Sequence, residues 1–419
     1  MILNIKKLHW TKESWNEKCF WFAVFFFMGG NDVIGALLQI VGSIYIVPFH
    51  IDKLFVYALV FFAAIVSFRS VVKRVHFSEI MSWTLLILCI LIGCFIHDGY
   101  DGMYLKILFY FIYGIIVYLY FINIDDFDRL IAMLEKLAFL LTISISIQLL
   151  FSGMGGTMSY SQYLGYALLP ASLISINAFL RRHSFIHLVN CILTTILIFF
   201  MGARWPLVCV LLFLILRSIL SPAPIKKKIL ILAILALMGF TLVYYMDALL
   251  NFLGELFSNK GLSMRALNMI RRESFFEDSG RSDIWNFSHR EIMNHMITGV
   301  GVGNDRILIA NFKGSPELAY GYYPHNIFLE LLFQFGIFIG GFLILFIAVH
   351  IINSIKKASR IAKQTKSYSC VDVLLISLSL GLFPLMVSGS YLSWLPFFVF
   401  LGLCSNVLRL ESKYGNQTE

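Results

Sequence analysis

The chain has 419 residues, of which 59% are hydrophobic and only 14% are charged. Soluble domains carry about 25% charged residues, so this composition excludes a soluble enzyme and indicates a protein with many membrane-spanning helices. The formal net charge is +9, but no basic and aromatic RNA-binding motif accompanies it. We therefore expect the lipid bilayer, and not a nucleic acid, to be the main partner of this surface charge.

Apolar runs predict an all-α polytopic membrane protein with about twelve transmembrane helices. The pair Gly29-Gly30 inside the first run predicts a break in that helix. The second and eighth runs are short for a bilayer that needs roughly 20 residues per helix, whereas the first and tenth are long. The predicted spans are 20–46, 54–68, 79–96, 103–121, 130–151, 162–180, 184–201, 205–220, 229–246, 323–351, 371–388 and 391–408.

The distribution of Lys and Arg predicts the orientation of these helices. If the N-terminus is cytoplasmic, each basic cluster falls in a cytoplasmic loop, as the positive-inside rule requires. An even number of spans then places both termini in the cytoplasm. The clusters lie at 6–18, 69–74, 181–182, 226–228 and 356–366.

The same orientation divides the chain into three parts. We expect helices one to nine in residues 1–246, a large external loop in 247–322, and helices ten to twelve with a cytoplasmic tail in 323–419. A loop of this length is uncommon unless it carries function. None of the seven cysteines lies in the loop, which excludes a disulfide framework or a cysteine nucleophile there.

The external loop has a helical pattern in its second half. A helix is predicted to begin near Ser282-Asp283 and to end at Thr298-Gly299. Its predicted buried stripe is Ile284, Trp285, Ser288, Ile292 and Met296. The following Gly299-x-Gly301-x-Gly303 comes after a helix and not after a strand. It therefore predicts a tight turn and not a dinucleotide site.

Two arginines are candidates for anion binding. Arg281 would lie beside the free amides of a helix N-terminus, where anions bind, although a surface arginine beside a capped helix explains it equally well. Arg204 lies between the seventh and eighth spans, where a charge suggests function or a snorkelling anchor. An arginine presents a planar fork of donors that suits phosphate oxygens. Other loop arginines, each of which alone is also explained as solvated surface, are Arg265, Arg271, Arg272, Arg290 and Arg306.

A histidine stands at the external end of the tenth span. His325 would titrate near neutrality and could take a proton from a sugar hydroxyl; a polar helix cap is the alternative. Asn326 could orient the ring or a hydroxyl, and Tyr323 completes the candidate substrate contacts. Because His289 and His295 lack zinc-ligand spacing and no cysteine accompanies them, we expect neither a metal nor a cofactor.

These motifs together resemble the O-antigen polymerase and ligase superfamily. The resemblance rests on Gly-Arg-x-x-x-Trp at 280–285, the Gly-x-Gly turn, His325-Asn326 and the Gly-Ile-x-x-Gly of 336–340. It implies a GT-C-type integral-membrane glycosyltransferase of the bacterial inner membrane that acts at the periplasmic face on an undecaprenyl-diphosphate-linked oligosaccharide. It also implies inversion without a metal, and a separate chain-length regulator protein as a possible partner.

The resemblance implies roles for three residues. Arg204 and Arg281 would stabilise the diphosphate leaving group, and His325 would act on the acceptor hydroxyl as a base or a positioning donor. One departure concerns the residue before Arg204, which is Ala203 where Ser or Thr is expected. The local hydrogen bonding of that arginine is therefore not assured by the family pattern.

Alternative functions remain. Within the superfamily, the chain could be a polymerase or a ligase that transfers the glycan to the lipid A core. The short tail after Arg409 and the high Phe and Ile content favour the polymerase. A membrane transporter or lipid flippase would carry mid-span charges and internal repeats. Few mid-span charges and no repeat are seen here, and polar residues concentrate in one loop, which favours chemistry at the membrane surface.

Overall fold

The computed structural model describes residues 12–44, 51–71, 75–153, 162–201, 204–221 and 280–410, with a few single positions between 224 and 237. Within these residues the regular structure is helical, and no β-strand occurs. The helices are α1 (Lys12–Phe25), α2 (Asn31–Ile44), α3 (Ile51–Val71), α4 (Phe77–Ile96), α5 (Asp101–Phe121), α6 (Phe127–Gly153), α7 (Gln162–Arg182), α8 (Phe185–Phe200), α9 (Arg204–Leu220), α10 (Arg281–Asn294), α11 (Asn304–Phe312), α12 (Ile327–Thr365), α13 (Ser369–Gly381) and α14 (Leu395–Arg409).

The apolar helices confirm the predicted class. Seven described segments are long and apolar enough to cross a membrane, and four shorter apolar helices accompany them. They correspond to every predicted span except the ninth, 229–246, most of which lies outside the described residues. The protein is therefore an all-α polytopic membrane protein.

The first span is broken where the glycine pair predicted it. A π-helical turn, Phe26–Gly30, joins α1 to α2, and Gly29 within it has a φ of 132°. Side chains rarely adopt that backbone conformation, whereas glycine does so at no steric cost. Single π-turns of this kind often occur at functional positions, and this one lines an internal cavity.

The tenth span differs from its predicted bounds. Helix α12 begins at Ile327, four residues after the expected start, because Asn326 caps it. The Asn326 Oδ1 accepts hydrogen bonds from the backbone N–H groups of Phe328 (2.9 Å) and Leu329 (3.2 Å), which satisfies two amides that have no helical partner. The helix then continues to Thr365, beyond the predicted end at 351, with a kink at Gly336, whose φ is 74°.

The kink at Gly336 is where the loop docks onto this span. The Val300 N–H donates to the Phe333 carbonyl at 2.9 Å, and the Gly301 N–H donates to the Gln334 carbonyl at 3.0 Å. A broken helix leaves carbonyls without intrahelical donors, and the loop supplies those donors. The loop residues that follow α10 are thus fixed on the tenth span.

The glycine-rich segment is the tight turn that the sequence predicted. Gly299 has a φ of 65°, and a Cβ there would lie 2.4 Å from the Gln334 carbonyl oxygen. Gly303 caps α11 with a φ of 85°, and a Cβ there would lie 2.6 Å from the ring of Tyr104 on α5. Only glycine allows the loop backbone to approach both α12 and α5 this closely.

Helix α10 begins and ends earlier than expected. It covers Arg281–Asn294 and is capped by Gly280 in a left-handed conformation, not by Ser282 or Asp283. Its buried face carries Ile284, Ser288 and Ile292, as the periodicity predicted. Met296 was expected on the same face, but it follows the helix and is exposed.

Candidate functional site

A tryptophan hydrogen bond brings the start of α10 to the entrance of α12. The Trp285 Nε1 donates to the Pro324 carbonyl at 2.8 Å, one residue before His325 and one turn after Arg281. Arg281 is the first residue of its helix and is only partly exposed. The structure therefore brings together Arg281 and His325, two of the three residues to which the sequence assigned chemistry.

His325 is half-buried, electrostatically perturbed and held in an unusual backbone conformation. Its φ is 54°, a left-handed value that non-glycine residues adopt infrequently and that clusters at functional sites. Burial, followed by the positive charges of Arg281 and Arg306, lowers its pKa to about 4. The imidazole is thus neutral at pH 7 and able to accept a proton.

The ring of His325 packs against one tyrosine. Its centroid lies 4.1 Å from that of Tyr323. Burial is the main cause that raises the pKa of Tyr323. Tyr323 therefore stays a neutral phenol beside the histidine.

The charge of Arg281 has no carboxylate partner in the part of the chain that the structure describes. Among the described residues it forms no ion pair within 4 Å. Its charge acts on His325, Tyr323 and Tyr166 of α7. A partly buried guanidinium among neutral groups is suited to bind an anion from outside the protein.

Arg306 was predicted as a substrate contact, but it lies deeper than Arg281. It is 1% exposed, and its guanidinium carbon lies 5.3 Å and 5.0 Å from the ring centroids of Tyr320 and Tyr323. It also donates to the Tyr320 carbonyl. Because the two tyrosines cover it, its position suits holding Tyr323 and His325 in place better than direct contact with a substrate.

A buried polar network beneath the histidine was missed by sequence reasoning. The Gln334 Nε2 donates to Asp305 Oδ1 at 3.0 Å, and the Tyr391 hydroxyl donates to Gln334 Oε1 at 2.6 Å. Glu330 accepts from the Ser390 hydroxyl and, at 3.3 Å, from the Tyr391 N–H. All five side chains are buried, so the network joins α11, α12 and the segment before α14.

The network places one carboxyl in the first turn of the tenth span. Glu330 is a fully buried carboxyl in the tenth span, with Gln334 one turn later. Polar residues one turn apart in an apolar run were the signal that could have identified it. Outside the span, burial raises the pKa of Asp305 to about 6, against the opposing effect of Arg306.

The segment between α13 and α14 connects further helices to the site. The Gln162 Nε2 at the start of α7 donates to Ser388 Oγ at 2.9 Å, and the Trp205 Nε1 at the start of α9 donates to the Phe383 carbonyl at 2.8 Å. The helix that begins with Arg204 therefore starts at the same end of the bundle as Tyr323. We call this end the site end.

The remaining predicted contacts are described in part. Arg204 begins α9, but its side chain lies outside the described residues, as do Arg265, Arg271 and Arg272. Arg290 is exposed on α10, with its guanidinium 5.9 Å from the Phe287 ring. The side-chain oxygen of Asn326 is engaged in the helix cap. The roles of these residues stay predictions.

Comparison with known proteins gives one match. Residues 189–346 match the model of a family described as O-Antigen ligase. The match extends from α8 to the middle of α12 and includes Arg204, Arg281 and His325. No curated protein and no solved structure matches the chain.

Proposed function

We propose that the chain is an O-antigen polymerase, since residues 189–346 match the family described as O-Antigen ligase and the sequence motifs resemble the polymerase and ligase superfamily. In this proposal it joins undecaprenyl-diphosphate-linked repeat units at the periplasmic face of the bacterial inner membrane. The family match supports activity of the polymerase or ligase class. The observation that supports glycosyl transfer is the neutral, half-buried His325 beside Arg281, which has no ion pair among the described residues. Within that class, the high Phe and Ile content of the sequence favours the polymerase.

The chemistry of glycan transfer from a lipid diphosphate needs two functions from the protein. The leaving diphosphate gains negative charge as the glycosidic bond breaks, and guanidinium groups can stabilise it without a metal. The acceptor hydroxyl must lose a proton as it attacks the anomeric carbon, and a neutral imidazole can receive that proton. Attack on the face opposite the leaving group inverts the anomeric configuration, as in other GT-C-type enzymes.

The roles follow from these needs. Arg281, with Arg204 as its predicted companion, binds the diphosphate, and His325 accepts the proton of the acceptor hydroxyl. An anion at Arg281 would neutralise one of the charges that keep the pKa of His325 low. Donor binding would therefore raise the basicity of the histidine when it is needed, since a nearby negative charge favours the protonated imidazole.

Deletion of the gene in the source strain separates the two members of the class. Loss of a polymerase leaves lipopolysaccharide with a single repeat unit, whereas loss of a ligase leaves bare core. We expect the single-repeat pattern on a gel of the extracted lipopolysaccharide. Bare core would replace the polymerase proposal with transfer of the glycan to the lipid A core.

Purified protein separates enzyme from transporter. In detergent micelles with lipid-linked repeat units, we expect elongated products that persist in the presence of EDTA. Activity lost with EDTA and restored by a divalent cation would contradict the metal-independent scheme. Proteoliposomes that translocate the lipid without elongating it would contradict the glycosyltransferase proposal as a whole.

A further inference from the structure

Three large apolar side chains are exposed together at the end of α10. Met293 is 51% exposed and, in the turn that follows the helix, Met296 is 43% and Ile297 is 71% exposed. Single exposed apolar residues are ordinary, whereas a cluster of them indicates a surface that another apolar phase covers. The chemistry proposed above uses none of these three residues.

Helix α12 places this cluster at a defined depth in the bundle. The Ile337 N–H donates to the Met296 carbonyl at 2.7 Å, and a Cβ on the glycine of the α12 kink would lie 2.6 Å from the Ile297 carbonyl oxygen. Phe338, the next residue of α12, is 70% exposed and begins a run without Asp, Glu, Lys or Arg that ends at Lys356. That run comes close to the roughly 20 residues that cross a bilayer. The hydrocarbon boundary at the site end therefore lies near Phe338, beside the cluster.

Helix α5 gives a second, independent landmark for the same depth. The glycine turn that follows the cluster reaches α5 at Gly303, which meets the ring of Tyr104. Tyr104 lies in the first turn of α5, a helix of 21 residues that is just long enough to cross a bilayer. Its neighbour Leu105 is 57% exposed. The turn is therefore level with the first lipid-facing residues of α5 as well as those of α12.

We propose that residues 293–297 insert into the edge of the hydrocarbon layer at the site end and anchor the external loop to the bilayer lipid. The partner is the acyl-chain region just beneath the phospholipid headgroups. The cluster adjoins the lipid-facing side of α12 that starts at Phe338, so the same hydrocarbon covers both. Asn294 and His295, which are exposed between the apolar residues, suit the headgroup region, as the polar residues of interfacial helices do.

The anchor fixes α10 at both ends. The Trp285 hydrogen bond to the Pro324 carbonyl holds the start of the helix beside His325, and the lipid holds its end. Helices α10 and α12 run in the same direction between these contacts, so α10 cannot tilt away from α12 without withdrawing apolar side chains from hydrocarbon, which is unfavourable. Arg281 is thereby kept at a constant height above the bilayer. The anchor does not depend on the reaction that the protein catalyses.

Photolabelling from the lipid tests the anchor without any variant. The full-length protein is placed in nanodiscs of phosphatidylethanolamine and phosphatidylglycerol that include a phospholipid with a diazirine near the carboxyl end of one acyl chain. Trypsin gives one peptide for each half of α10, 282–290 and 291–306, and a third, 314–356, for the exposed part of α12. We expect lipid adducts on 314–356 and on 291–306, where fragmentation places them within 293–297, and none on 282–290. Adducts on the α12 peptide without any within 293–297 would overturn the proposal.

A matched pair of double variants sharpens the test. Met296→Asp with Ile297→Asp places two charges in the proposed hydrocarbon contact and should lower the adduct yield within 291–306 about tenfold, since a carboxylate is strongly excluded from hydrocarbon. Asn286→Asp with His289→Asp adds carboxylates at exposed positions nearer the start of the same helix and should label as the wild type does. If the first variant does not insert into the membrane, Met296→Ser with Ile297→Ser provides the same comparison. Unchanged labelling in the inserted variant would contradict the proposal.

Other occupants of the cluster give different results. If a second copy of the chain or another protein covers it, the lipid will not reach 293–297, and a photo-crosslinking amino acid in place of Ile297 will form a protein conjugate in the native membrane. Such a conjugate, or equal lipid labelling of both halves of α10, would overturn the lipid anchor. A conjugate with lipid alone supports it.

Discussion

Arginines lie buried or half-buried at both ends of the helical bundle, but they have different surroundings. At the end opposite the site, Asp372 is fully buried and lies 3.0 Å from Arg217 Nη2 and 3.5 Å from Arg181 Nε. At the site end, Arg281 and Arg306 have no carboxylate within 4 Å among the described residues. In the first arrangement the ion pairs occupy the arginines, whereas in the second the partly exposed Arg281 can bind an external anion.

The contrast shows how a buried arginine can be interpreted in a membrane protein. Removing an internally paired arginine leaves a buried carboxylate uncompensated, so the effect falls on stability. Removing an unpaired arginine relieves repulsion among cations, so the effect falls on binding and catalysis. The same residue type therefore predicts opposite mutant phenotypes at the two ends.

The largest expected effect on activity is at the site end. Arg281→Ala should lower elongation of lipid-linked repeats by roughly 10²–10³-fold, as loss of one preorganised charge-stabilising donor does, and long chains should disappear. Arg281→Lys should restore little, because an ammonium does not reproduce the two-pronged guanidinium contact. The measurement is elongation by purified protein, with thermal stability as the control. Full activity of the Arg281→Ala variant would contradict the role of Arg281 in stabilising the diphosphate.

At the end of the bundle opposite the site, substitution of an arginine should lower the stability of the protein. Arg217→Met leaves Asp372 with Arg181 alone and should cost about 3–5 kcal/mol, seen as a lower unfolding temperature in detergent. The fraction that remains folded should elongate repeats at the wild-type rate. Replacing Asp372 by Leu in the same chain should recover most of the loss. A stable but inactive Arg217→Met protein would break the distinction between the two ends.

Substitution of His325 should lower the rate strongly, and the wild-type enzyme should keep its activity to an unusually low pH. His325→Ala should lower the rate by about 100-fold or more, whereas His289→Ala, at an exposed position on α10, should have no effect. Because the pKa of His325 is lowered to about 4, the free enzyme keeps the basic form above that value and loses it as the pH falls through it. The profile of kcat/KM between pH 3.5 and 8 checks this, and an acid limb near 6.5 would contradict it.

The smallest expected effect concerns the helix cap. Asn326→Ala removes the oxygen that accepts from two backbone amides and should destabilise the protein by about 1 kcal/mol. Asn326→Asp should keep the cap, since a carboxylate also accepts at a helix N-terminus. Thermal unfolding measures both variants. If Asn326→Asp is stable yet inactive, the side-chain N–H₂ contacts substrate, as the sequence suggested.

Much of the site could be predicted from the sequence, although only one residue at a time. Arg281 was recognisable because it begins a predicted helix, and His325 because it precedes a long apolar run. The buried Asp305, Glu330 and Tyr391 were not recognised, because hydrogen bonds between residues 29 and 61 positions apart leave no periodic signal. The length of the tenth run allowed for a kink, but its position at Gly336 was not predicted, because a glycine in an apolar helix is compatible with a straight one.

Hydropathy and glycine placement in the sequence alone determined the membrane class, the apolar helices and the break at Gly29, because each depends on neighbours along the chain. The tertiary structure decided which cations are paired and which are free, since that depends on carboxylates contributed by distant helices. It also decided that His325 is neutral, because burial and the nearby charge of Arg281 arise only when α10 docks on α12.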